Sequence, residues 1–88
     1  MRDVAADLQT IRLGEEASLI VKPPNRPDER DDVEAVLVQS NPAYEFDDGT
    51  QTYRVVEESG RFRVLASRDV ADPVHELGEL RAVVNMSG

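Results

Sequence analysis

At 88 residues the chain is long enough for one domain with a modest core, burying roughly 60–65% of the surface its unfolded form exposes. It carries 18 Asp and Glu against 10 Lys and Arg, a net charge of −8, while 40% apolar residues argue against disorder. With no cysteine there is no disulfide framework and no thiolate metal site, and no run approaches the roughly 20 apolar residues of a membrane span.

The first stretch, "MRDVAADLQTIRLG", has early acids and no unbroken apolar core, unlike a signal peptide, so a cytoplasmic location is expected. Val4, Leu8 and Ile11 fall at i, i+4 and i+7, Asp3 suits an N-cap, and Gly14 stands where a C′ glycine would. A helix over about 3–13 follows. "ASLIVK" (17–22) is short, apolar and β-rich, and predicts a strand. Pro23 and Pro24 end it, because proline cannot donate to a ladder, and "KPPNRPDERDD" (22–32) reads as a rigid, solvated corner.

Beyond that corner, Pro27 followed by Asp28 and Glu29 resembles a helix N-terminus with acids in its first turn. Val33, Val36, Leu37 and Ser40 would then share a face, and a helix is the favoured reading of 33–40. The β-branched content of "VEAVLVQ" keeps a strand as the alternative, and Pro42 ends either element.

Residues 44–67 carry the clearest pattern. "DDGT" (47–50) and "EESGRF" (57–62) are turns separating three strands of an antiparallel meander. With Ser59 and Gly60 as a two-residue loop, Glu57 opposes Phe62, Val55 opposes Val64 and Tyr53 opposes Ala66. This register puts Tyr53, Val55, Phe62, Val64 and Ala66 on one apolar face. A three-residue loop would mix apolar and charged residues across both faces.

In the tail, Asp72 suits an N-cap, Pro73 the first helical position and Glu76 the first turn. Val74, Leu77, Leu80 and Val84 then form a helical stripe over 74–84. Gly78 would cost such a helix about 1 kcal/mol, which leaves a short helix followed by a strand over 80–86 as the alternative. The fold class expected from these elements is α+β: one domain over residues 1–88 in which a β-meander packs against one face of two or three helices.

Chemistry is sparse. His75 is the single histidine, near Asp72 and Glu76, and serves better as an ordinary helix residue than as a base or ligand. No phosphate-cradling glycine loop or nucleophile elbow is present, so no catalytic, cofactor or metal residue is assigned. The acid pairs Asp31-Asp32, Asp47-Asp48 and Glu57-Glu58 suit turns and solvated surface better than a hard-cation loop. The one basic concentration is Arg54, Arg61 and Arg63, brought to the face opposite the apolar one. These three are the candidate partner contacts. Cross-strand pairing with nearby acids is the plainer explanation for them. Nucleic acid is disfavoured by the charge and by aromatics that fall on the other face.

Nine arginines beside a single lysine, Lys22, with 18 acids, resemble the small acidic proteins of haloarchaea, which hold molar salt in the cytoplasm. At about 1 M salt the screening length is roughly 3 Å, so a dense acidic surface scarcely repels itself. A GC-rich coding sequence, or an ordinary acidic protein, gives the same bias. The resemblance implies a solvent and no activity. The sequence therefore points to a non-enzymatic accessory or protein-interaction domain adapted to high salt, with a protein partner or homodimer, no cofactor and no membrane. The alternatives are a small-ligand or enzymatic domain using His75 and carboxylates, and a nucleic-acid-associated regulator using the Arg54/Arg61/Arg63 face.

Overall fold

The computed structural model describes residues 3–26, 28–68 and 74–87. Among the described residues one short helix, α1 (Val4–Gln9), is followed by six strands: β1 (Glu16–Lys22), β2 (Asp31–Gln39), β3 (Tyr44–Asp47), β4 (Thr52–Glu58), β5 (Arg61–Ser67) and β6 (His75–Asn85). Each strand pairs antiparallel with the next, and β6 returns to pair with β1, closing a barrel.

The α+β expectation is therefore wrong. The meander does need a second layer over Tyr53, Val55, Val64 and Ala66. The chain supplies it by curling the sheet onto itself rather than by covering it with helices. Leu19 and Val21 of β1, Ala35 and Leu37 of β2, Phe46 of β3 and Leu80 of β6 meet that face from the other walls, all buried.

Residues 33–40 belong to β2 rather than to a helix. Along this strand Val33, Ala35 and Leu37 point inward while Asp32, Glu34 and Val36 point outward, a period of two that suits β-branched side chains. Asp28 and Glu29 lie in the preceding loop, where Glu29 meets Arg26 at 2.9 Å, so they begin no helix.

The 74–84 helix is likewise overturned by β6. Opposite β5, Glu76 pairs with Leu65 and Gly78 with Val64, leaving Leu77 as an extra residue. Opposite β1, Leu80 pairs with Val21 and Ala82 with Ile20, leaving Arg81 extra. Two bulges in one strand turn a period of two into a period near three, so Leu77, Leu80 and Val83 all reach the core with helix-like spacing. The expected cap at Asp72 and Pro73 lies outside the described residues, as does Pro27.

Gly78 is the corner of this strand. Its φ is +149°, and a Cβ there would sit 2.2 Å from the Lys22 carbonyl oxygen. Only glycine lets β1 approach β6 so closely.

The first helix exists but is shorter than expected. Asp3 caps it, its Oδ1 accepting from the Ala6 N–H at 3.3 Å, and Thr10 ends it, four residues before Gly14. Gly14 instead turns the chain into β1 at φ +89°. Leu8 and Ile11 are buried in the barrel core. The helix is tied to β6 where the Val83 N–H donates to Asp7 Oδ2 and Asn85 Nδ2 donates to the Thr10 carbonyl. Among the described residues no helix is long and apolar enough to cross a membrane.

Candidate interaction surface

The β4–β5 hairpin sets out the three candidate arginines. Ser59 (φ 53°) and Gly60 (φ 82°) form the two-residue turn, both left-handed as a type I′ turn requires. The register is the even one: Glu57 opposite Phe62, Val55 opposite Val64, Tyr53 opposite Ala66. Arg54, Arg61 and Arg63 consequently all stand on the outer wall, opposite Leu65, Glu58 and Val56 in turn.

Two of the three are engaged by carboxylates from neighbouring strands. Arg54 reaches across to β3, donating from Nη2 (2.9 Å) and Nε (3.2 Å) to Glu45 Oε2, an oxygen that also accepts from Gln39 Nε2. Arg63 bridges two walls, donating to Glu58 Oε2 at 2.9 Å and to Glu76 Oε1 on β6. The Glu76 and then the Glu58 carboxylates hold its guanidinium pKa above its ordinary value. These are solvent-facing pairs, screened by water and contributing little to stability.

Arg61 differs. It is exposed at the start of β5 and, among the described residues, pairs with no carboxylate. It lines an open groove of about 530 Å³ with Lys22, Pro23 and Pro24 at the end of β1 and with Arg63 and Glu79. The proline corner thus lies beside the hairpin turn, and the single lysine shares a groove with the unpaired arginine.

The remaining candidates resolve into structure. In the "DDGT" turn, Asp48 Oδ1 accepts from the Thr50 and Gln51 N–H groups and Asp47 Oδ1 from Gly49 N–H. Tyr53 Oη donates to Asp48 Oδ2 at 2.7 Å. The Gln51 N–H and the Tyr53 hydroxyl hold the Asp48 carboxyl below its ordinary value. Burial, then that same carboxylate, pushes the Tyr53 hydroxyl up to about 12. The acid pair is a turn lock, with both Asp48 oxygens and Asp47 Oδ1 accepting hydrogen bonds. His75 is the exposed first residue of β6, opposite Ala66, on a strand rather than the expected helix. Among the described residues no three His, Asp or Glu side chains gather where they could hold a metal ion.

Sequence reasoning missed one surface. The aliphatic residues Leu13, Val38, Val84 and Met86 are all strongly exposed around the outer wall of β6, β1 and β2. The alternation in β1, with Glu16, Ser18 and Ile20 outward, was the available signal, but its two flanking strands read as helices.

Compared with known proteins, the chain matches no family model, no curated protein and no solved structure.

Proposed function

We propose that this chain is a non-catalytic interaction domain, suited to concentrated salt, that works from the outer wall of its barrel. One observation carries the reading. The interior is filled by aliphatic and aromatic side chains, and among the described residues no polar or charged residue is buried there. A lumen packed in this way offers a ligand neither room nor a hydrogen-bonding partner. The chemistry that remains is on the surface, where Arg61 and Lys22 share the groove beside the hairpin turn while Arg54 and Arg63 are held in cross-strand ladders. Arg61 is accordingly the member of the original trio whose guanidinium no described carboxylate occupies.

The acidic composition supports the solvent part of the reading, since molar salt removes the self-repulsion of a −8 surface. The test is to titrate isotopically labelled protein with the macromolecular and the small-molecule fractions of host extract, following backbone amides. Outward positions of the strands should respond to the macromolecular fraction. A response of Leu19, Leu37 and Phe46 to the small-molecule fraction would refute the reading by revealing a lumen site.

A further inference from the structure

We propose that the outer face shared by β6, β1 and β2 docks a basic, amphipathic segment of another protein. The inference rests on the interaction-domain reading and names a surface and a partner chemistry for it.

Five large apolar side chains are strongly exposed among the described residues, and four belong to this face: Leu13 at 62%, Val38 at 52%, Met86 at 50% and Val84 at 39%. The register explains how they gather. The Met86 N–H donates to the Glu16 carbonyl, and Glu16 in turn opposes Val36 of β2. Ser18 opposes Val84 on one side and Glu34 on the other. The loop before β1 lies along the end of β2, with the Gly14 N–H donating to the Leu37 carbonyl, which sets Leu13 near Val38. Val38 is itself the extra residue of a bulge opposite β3, turned out of the ladder. With strands about 4.8 Å apart, the aliphatic side chains of β6 and β2 flank a central row of Glu16 and Ser18, about 10 Å from one another. Four of those five strongly exposed aliphatic side chains thus gather around one stretch of ordered sheet, a grouping that suits an interaction surface.

Charge selects the occupant. Residues 13–20, 32–38 and 82–86 include no lysine or arginine. Elsewhere on the wall Arg54 has Glu45, Arg63 has Glu58 and Glu76, Arg81 has Glu79, and Arg30 has Asp32, while Arg61, which meets no described carboxylate, lies beside the Lys22 end of β1 rather than on this face. Glu16 and Glu34 are exposed and, among the described residues, meet no cation. A second copy applied through a two-fold axis would set these carboxylates against their own kind. Phosphate-bearing surfaces are repelled for the same reason. A segment with Lys or Arg flanked by aliphatic side chains satisfies both the carboxylates and the apolar strip.

The probe is a synthetic amphipathic Leu/Lys peptide of about 14 residues, long enough to span about 21 Å as a helix, with a Leu/Glu peptide as its counterpart. Binding is measured in about 1 M KCl, where only charges in direct contact still act. The Leu/Lys peptide should shift amides of residues 13–20, 34–38 and 82–86, and the Leu/Glu peptide should not bind. Val38→Thr with Val84→Thr, which keep the branched shape, should weaken binding about tenfold. Glu16→Gln with Glu34→Gln should weaken it about three- to tenfold. Asp28→Asn with Glu29→Gln, an equal change of net charge in the β1–β2 loop, should leave it unchanged. Absence of binding, equal weakening by the loop variant, or no effect of the threonine variant would overturn the proposal. So would a concentration-dependent dimer that competes with the peptide. Shifts confined to Lys22 and residues 58–63 would overturn this face while leaving the interaction-domain reading intact.

Discussion

Replacing Gly78 by alanine places a methyl group where the β1 backbone already lies. The added Cβ would stand 2.2 Å from the Lys22 carbonyl oxygen, 2.8 Å from its carbonyl carbon and 2.9 Å from Val21 Cγ1. Two of these three atoms are main chain, so no side-chain rotation relieves the contact, and the strands must separate at the β1–β6 seam. The residue also holds φ +149°, which an L side chain rarely adopts. Strain of this kind costs about 1–3 kcal/mol and overpacking a further 1–3 kcal/mol, about 2–6 kcal/mol together. An 88-residue domain has only about 4–13 kcal/mol in total at the usual 0.05–0.15 kcal/mol per residue. Gly49→Ala is the control, because Gly49 also has a positive φ (+92°) but nothing within 4 Å of the added carbon. Urea unfolding followed by circular dichroism should show Gly78→Ala losing at least about 2 kcal/mol more than Gly49→Ala. Equal losses would refute the claim that glycine is needed at this corner to bring β1 onto β6 and close the barrel.

Further outcomes follow from the same structure. Leu8→Ala should cost about 2–5 kcal/mol by chemical denaturation, because the helix supplies a fully buried side chain to the barrel core. Tyr53→Phe should cost about 1–2 kcal/mol near neutrality. The wild-type turn contributes stability above the ordinary carboxylate value of 3.8 that disappears as pH falls through the depressed Asp48 value, and the variant should show a smaller acid loss. At the alkaline end, stability should decline as pH rises from 10 towards about 12, where Tyr53 ionises, and an ultraviolet titration reads that step directly. Arg54→Ala should cost no more than about 1 kcal/mol, Arg63→Ala should lower the unfolding midpoint only slightly, and Arg61→Ala should leave it unchanged. Unfolding midpoints in 0.1 M and about 2–3 M KCl should rise with salt, and equal stability at both would remove the main support for salt adaptation.

What could be read in the sequence was local. The β4–β5 register followed from two residues of turn and a binary pattern, and Asp3 capped its helix as expected. The β1 strand was visible because Pro23 and Pro24 delimit it. What was not legible depended on distant partners. The Leu77, Leu80, Val83 spacing looks helical until the register with β5 and β1 exposes a bulge at Leu77 and another at Arg81. Gly78 looked like a weak point in a helix, because its close contact is with Lys22, 56 positions earlier in the chain. The arginine trio was placed on one outer face from pattern alone. Its partner Glu76 lies on β6, whose spacing reads as a helix, so the Arg63 pairing across that seam is not legible in the sequence. The aliphatic face is hidden for the same reason, since two of its three strands, β2 and β6, carry helix-like spacing in the sequence.

The most direct measurement for an interaction domain is isolation of the full chain from its host in native salt, with mass analysis of what travels with it. The expected result is a stoichiometric complex with another polypeptide whose contact surface is basic and aliphatic, lost in Val38→Thr/Val84→Thr and kept in Asp28→Asn/Glu29→Gln. A lone monomer that retains a small molecule, or turns one over, would contradict it.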